Sequence, residues 1–301
     1  MIDSSPSQSP LLPLLIVLAG LSSLPLLAQP EEDTGNVSFD IVHGYVERAQ
    51  LAYASRDDIK ARYPHIVRIA TPANTDVLYF LELNPDTKEQ IISIRGTDNL
   101  ENALQDAEYL RAEDSALGIA VHRGFDEDAR KIYADLKPYL RKDYETFLTG
   151  HSLGAAISTL LMLYMLDDGF DIRASVNFGQ PKLTNITGAK LFADVPLLRV
   201  VDANDVVPLL PADTLLDSID GQYAHFGREL ILLSGPHYSY LTEQQAMQTS
   251  KGSFWMDLGH ESLEEHKISR YVAGILDKLQ HNIEVGFEQR EQFAEQPKSG
   301  S

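Results

Sequence analysis

Apolar residues fall into short runs and helical stripes that alternate along the middle of the chain. VLYFLELN (77–84) and QIISIRG (90–96) are separated by Pro85, Asp86 and charged residues, which predicts a strand, a turn and a second strand. Between 126 and 143, Ile132, Leu136, Tyr139 and Leu140 recur at helical spacing. A short strand over 146–149 then runs into Gly150, and 155–166 is apolar nearly all round, as suits a helix buried against a sheet. RASVNFG (173–179), LLRVVD (197–202) and ELILL (229–233) predict further strands. This alternation argues for an α/β fold, a sheet covered by helices on both faces.

The two ends differ from this middle. Residues 11–28 read LLPLLIVLAGLSSLPLLA, an uncharged apolar run that ends in small residues before Glu31, Glu32 and Asp33. The pattern predicts a secretory signal over 1–28, with Ala28 as the cleavage position and export as the consequence; an N-terminal membrane anchor is the other reading. Near the other end, Ser262 and Glu265 have the spacing of a capping box, followed by Ile268, Tyr271, Val272, Ile275, Leu276 and Leu279 at helical spacing. The sequence turns polar from Asn282, so the expected domain covers 29–281 and 282–301 is read as a polar tail.

Charge and composition narrow the chemistry. A formal net charge of −19 repels nucleic-acid phosphates and anionic headgroups, so no nucleic-acid partner is expected. With no cysteine, disulfides, thiolate metal sites and cysteine nucleophiles are excluded. Neither H-E-x-x-H nor clustered ligands occur, so neither metal nor cofactor is expected.

Gly150-His151-Ser152-Leu153-Gly154 has the G-x-S-x-G spacing of a nucleophile elbow and sits between a predicted strand and a predicted buried helix, the placement that gives the motif meaning. A serine hydroxyl needs a base to take its proton and a carboxylate to orient that base, in the chain order Ser, acid, His. Asp205 follows the strand 197–202, with Asp202 close enough to be confused with it. Among the histidines after Asp205, His266 and His237 are the candidates for the base, His266 in the first turn of the capped C-terminal helix and His237 soon after the last strand.

These segments together resemble the class 3, or fungal-type, lipases over roughly 77–276. Ile92-Ser93-Ile94-Arg95-Gly96-Thr97 is similar to that family's strand and R-G-T/S oxyanion segment, Val121-His122-Arg123-Gly124-Phe125 to its H-x-G-F signature, and Asn177-Phe178-Gly179-Gln180-Pro181 to its T-F-G-x-P stretch. RVVDANDVVPLLP (199–211) resembles its acid loop, which places the acid at Asp205, and Tyr223-Ala224-His225-Phe226-Gly227 its Y-x-H-x-G strand, which makes His225 structural. His266-Lys267-Ile268-Ser269-Arg270-Tyr271 resembles the H-x4-Y form of bacterial members, while His237 imitates a shorter H-x2-Y form. One departure is Ala155, where many relatives carry a second glycine.

The resemblance implies the α/β-hydrolase fold, a mostly parallel central sheet with helices on both faces, and cleavage of carboxylic esters of lipids at a lipid–water interface. It assigns Ser152, Asp205 and His266 as the triad and the backbone N–H groups of Leu153 and Thr97 as the oxyanion hole, and it puts a lid at 98–111. Short-chain carboxylesterases, phospholipases and feruloyl-type esterases share this chemistry, and a catalytically silent binding protein shares the fold.

Overall fold

The computed structural model of the chain describes residues 37–97, 111–114, 116–211, 222–249 and 263–294. The expected signal segment 1–28 and residues 98–110 of the expected lid lie outside these. Among the described residues, one sheet runs in the order β1 (Ile66–Ala70), β2 (Tyr79–Asn84), β3 (Glu89–Ile94), β6 (Glu145–His151), β7 (Asp171–Phe178), β9 (Leu197–Asp202), β11 (Arg228–Leu232), β12 (His237–Leu241) and β13 (Ile283–Glu284). Strands β3, β6, β7, β9 and β11 pair in parallel; β1, β2 and β12 join antiparallel. A smaller sheet joins β10 (Tyr223–Ala224), β8 (Thr184–Asn185), β5 (Ile119–His122) and β4 (Arg111–Asp114). This is the α/β-hydrolase architecture, mostly parallel with helices on both faces.

Alternation along the central strands sorts their side chains to two cores. Phe147, Val176, Phe178, Leu198, Val200 and Leu230 pack with the N-terminal helix (Phe39–Leu51) and with Tyr271 and Ile275 of the C-terminal helix (Ile268–Leu276). On the opposite face Ile92, Ile94 and Leu148 pack with the helix Leu153–Asp167. That helix is buried on nearly its whole circumference, since the helix Arg123–Leu136 covers the side turned away from the sheet. The stripe read over 126–143 therefore ends early as a helix: Pro138 has no N–H to continue the ladder, and Tyr139 and Leu140 reach the core from a turn.

Two features at the C-terminal end depart from the sequence pattern. Ser262 of the expected capping box is outside the described residues, and the helix itself starts later, at Ile268 with Lys267 as N-cap, so His266 sits in the turn before the helix rather than in its first turn. The packed unit also runs past 281: Ile283–Glu284 adds a strand beside β12, and Val285, Phe287 and Phe293 pack against Val201, Ile231 and Leu241. Three apolar residues spaced through a polar stretch supply that contact, which an averaged composition hides. Lys278, fully buried, donates from Nζ to the carbonyls of Leu233, Gly235 and Gly274, which ties the end of the C-terminal helix to the β11–β12 turn.

Candidate active site

Parallel strands present their C-terminal ends on one edge of a sheet, and loops there collect side chains from segments far apart in sequence. Ile94 pairs with Gly150, His151 with Phe178, and Phe178 with Val200, so the residues that follow β3, β6, β7 and β9 emerge side by side. Gly96 and Thr97, Ser152, Gly179 and Asp205 are those residues.

Ser152 occupies φ 59° and ψ −130°, outside the regions ordinary residues favour. Its N–H donates to the Phe178 carbonyl at 3.0 Å. The turn closes only because its flanks lack side chains: a Cβ on Gly150 would lie 2.3 Å from the Gly154 carbonyl oxygen, and one on Gly154 2.5 Å from that of Ile94. Ala155 at the departure from the family pattern is fully buried and leaves this crossing intact. Leu153 is the first residue of the helix, where N–H groups have no intrahelical acceptor and the dipole favours negative charge. From the other side, a Cβ on Gly96 would stand 3.0 Å from Ser152 Cβ, so Thr97 follows directly from the floor beneath the serine.

Asp205 leaves β9 through a turn in which its N–H donates to the Asp202 carbonyl and Asn204 N–H donates to Asp202 Oδ1, both at 3.0 Å. The Asp205 carboxylate is buried and receives three donors: Val207 N–H on Oδ1 at 2.9 Å, and His266 Nδ1 at 2.7 Å and the Tyr271 hydroxyl at 2.5 Å on Oδ2. Tyr271 was part of the H-x4-Y pattern, but its bond to the acid has no signature in the sequence. Its hydroxyl also accepts from Asp202 N–H, and burial beside Asp205 holds its pKa well above the usual tyrosine range. Asp202 differs from Asp205: burial first, then repulsion from Glu265 and Asp205, pushes its carboxyl up to about 6 against the opposing pull of Asn204 N–H and Arg270.

His266 is 3% exposed; its Nδ1 faces Asp205, which leaves Nε2 as the free ring nitrogen. Among the described residues neither His266 Nε2 nor Ser152 Oγ has a hydrogen-bond partner. His237 lies elsewhere: on β12, with Nδ1 donating to the Ser234 carbonyl at 3.1 Å and its ring against Phe293. His225 donates from Nε2 to the Pro208 carbonyl at 2.6 Å, and burial together with Arg199 and Lys182 holds its pKa well below 6.5. Two more positions lay outside sequence reasoning: the ring of His151, bonded to the His266 carbonyl, and Tyr53, bonded to that ring.

Gly179 sets a tolerance on the whole group. At φ +57°, a Cβ there would meet His266 Cε1 at 2.8 Å and Asp205 Oδ2 at 3.0 Å. Gly179→Ala is expected to lower kcat for an ester substrate roughly a hundredfold by displacing both groups while the protein stays folded, checked by steady-state kinetics beside circular dichroism. An unchanged kcat would mean that the acid and the imidazole need not hold this geometry.

The sequence profile of the family described as Lipase (class 3) matches residues 91–215. A secreted mono- and diacylglycerol lipase of Fusarium solani is 26% identical over 60% of this chain and 54% of its own length. A chloroplastic phospholipase A1 of Arabidopsis thaliana is 25% identical over 50% of this chain and 21% of its own. The chain thus spans about half the length, or less, of these curated relatives. Among solved structures, the Lip2 lipase of Yarrowia lipolytica superposes with a TM-score of 0.58 at 21% identity, covering 72% of this chain and 88% of that one. The lipase of Rhizopus microsporus var. chinensis gives 0.57 at 21% identity, covering 70% and 82%. At these identities the structures establish the fold.

Proposed function

We infer that this chain, which belongs to the class 3 lipase family, is a carboxylic ester hydrolase acting on lipid esters, with Ser152 as nucleophile, His266 as base and Asp205 as its orienting acid. The observation that carries this reading is the buried 2.7 Å bond from His266 Nδ1 to Asp205 at the strand ends where Ser152 is held in its strained turn. A carboxylate accepts only, so Nδ1 keeps its hydrogen and Nε2 keeps a lone pair to receive a proton. As Ser152 Oγ bonds to the ester carbonyl carbon, its proton passes to Nε2 and negative charge builds on the carbonyl oxygen, stabilised by the N–H groups of Leu153 and Thr97. The C–O bond then breaks with that proton going to the leaving alcohol. Water reverses the sequence: its proton passes through His266 back to Ser152 and the acid is released.

The net charge of −19 favours neutral acylglycerols over anionic phospholipid surfaces. The Fusarium relative is named as secreted, and the apolar run 11–28 fits export of this chain too. No helix among the described residues is long and apolar enough to cross a membrane.

Hydrolysis of p-nitrophenyl esters from acetate to palmitate by the purified protein tests the substrate class. Each methylene buried in an acyl groove adds about 0.8 kcal/mol, so kcat/KM is expected to rise at least about tenfold from acetate to the long chains. Activity confined to short chains would make the protein a carboxylesterase, and cleavage of no ester would overturn the reading in favour of a binding role.

A further inference from the structure

His151, next to the nucleophile, does not point toward substrate. It is 4% exposed, and its two ring nitrogens bridge segments far apart in sequence. Nε2 lies 2.7 Å from the backbone carbonyl of His266, and Nδ1 lies 2.7 Å from the hydroxyl of Tyr53, in the turn that follows the N-terminal helix. A carbonyl oxygen only accepts, so Nε2 must carry the hydrogen; Nδ1 is then the acceptor and Tyr53 the donor. One tautomer satisfies both bonds. The faces of the rings meet as well: His151 stacks on the His266 imidazole with centroids 4.7 Å apart and planes 30° apart, and Tyr271 closes the other edge at 5.7 Å. The Tyr53 hydroxyl occupies the space left at Gly96, where a Cβ would lie 2.4 Å from it and 3.0 Å from Ser152 Cβ.

His266 has lost the support that a helix would give, because it sits in the turn before Ile268. Asp205 fixes one nitrogen of its ring, but a single side-chain hydrogen bond leaves the ring free to rock about that contact. We propose that Tyr53 and His151 are positioning residues, a hydrogen-bond chain that grips the His266 backbone and a ring face that steadies its imidazole, so that Nε2 is held toward Ser152. This rests on His266 being the base. Burial and the neighbouring His266 hold the His151 pKa well below 6.5, so the supporting ring stays neutral and places no competing positive charge beside the imidazolium that forms in the reaction.

The two nitrogens can be tested separately, because a glutamine amide nitrogen imitates Nε2–H and an asparagine amide oxygen imitates Nδ1. Kinetics on p-nitrophenyl butyrate are to be compared for wild type, His151→Gln, His151→Asn, Tyr53→Phe and His266→Ala. His151→Gln keeps the donor to the His266 carbonyl but gives up the Tyr53 bond and the ring face, so its kcat is expected to fall about tenfold, close to Tyr53→Phe and less than His151→Asn. His151→Asn and Tyr53→Phe are expected to lose roughly ten- to a hundredfold in kcat, with KM nearly unchanged, because the substrate site is untouched and only the proton acceptor is displaced. Equal losses in the Gln and Asn variants, or losses carried by KM, would assign His151 a packing role and overturn the proposal. Should the His151 variants fail to fold, Tyr53→Phe decides alone, since it removes one oxygen: wild-type kcat there, with His266→Ala inactive, refutes the positioning chain while leaving the base in place. An active His266→Ala instead refutes the base, and the positioning role with it.

Discussion

Alanine at Ser152 or at His266 is expected to lower kcat for ester hydrolysis by roughly 10⁴- to 10⁶-fold, whereas alanine at His237 is expected to leave it within about twofold. Each large loss has its own cause. Without Ser152 Oγ no acyl-enzyme forms, and what remains is the effect of the oxyanion donors on direct attack by water. Without His266 the hydroxyl keeps its proton at neutral pH, since Ser152 Oγ has no other hydrogen-bond partner among the described residues. The two losses should not add: the double variant is expected to be no slower than either single one, because nucleophile and base act as one unit. His237 bonds to the Ser234 carbonyl and packs on Phe293, so its removal touches neither the elbow nor Asp205. Steady-state rates, with circular dichroism to show that each variant folds, check the set. An inactive His237→Ala beside an active His266→Ala would exchange the two assignments.

The central strands were legible because strands buried on both faces read as near-continuous apolar runs: LLRVVD coincides with β9, and VLYFLELN and QIISIRG each overlap their strand with shifted ends. The elbow was legible because its motif is contiguous and Gly150 is demanded by contacts with Gly154 and Ala155, although Gly154 is demanded by Ile94 and Arg95 at the end of β3, far away in the sequence. Other parts left weaker traces. The N-terminal helix carries Phe39, Val42, Tyr45, Val46 and Ala49 at helical spacing, yet Gly44 and the charged Glu47 and Arg48 break its apolar outline. HYSYL drew notice for its histidine, although Tyr238, Ser239 and Leu241 are the buried residues of β12. Strands of two residues, such as Thr184–Asn185 and Tyr223–Ala224, are too short to show a period of two at all. The supports of the site were hidden for another reason. Tyr271 lies 66 residues from Asp205 and Tyr53 lies 98 from His151, and no local spacing encodes a bond across such distances.

Asparagine in place of Asp205 is expected to reduce kcat by about 10⁴-fold, while asparagine in place of Asp202 is expected to leave kcat within about threefold and to stabilise the protein above pH 6. Three donors converge on the Asp205 carboxylate: His266 Nδ1–H and the Tyr271 hydroxyl on one oxygen, Val207 N–H on the other. An amide offers one oxygen and one NH₂ group, so in either orientation a donor faces a donor. Turned toward Val207, its oxygen abandons the bond that keeps Nδ1 protonated; turned toward His266, it still lacks the charge that stabilises the imidazolium. Asp202 makes a different demand, because among the described residues its Oδ1 accepts only the turn-forming Asn204 N–H, which an amide oxygen can also do. Burial raises its folded-state pKa to about 6, above the ordinary aspartate value of 3.8. Between those values the folded protein binds more protons here than the unfolded chain, so stability falls as pH rises through the interval and the cost persists above it. Removing the ionisable group should therefore raise stability by about 1–2 kcal/mol at pH 8, discounted for the partial exposure of the side chain, with the gain vanishing near pH 4. Thermal unfolding of wild type and Asp202→Asn at both pH values reads this directly. If Asp202→Asn were the inactive variant and Asp205→Asn the active one, the acid would belong to the turn's first aspartate, against the bond that His266 makes to its second.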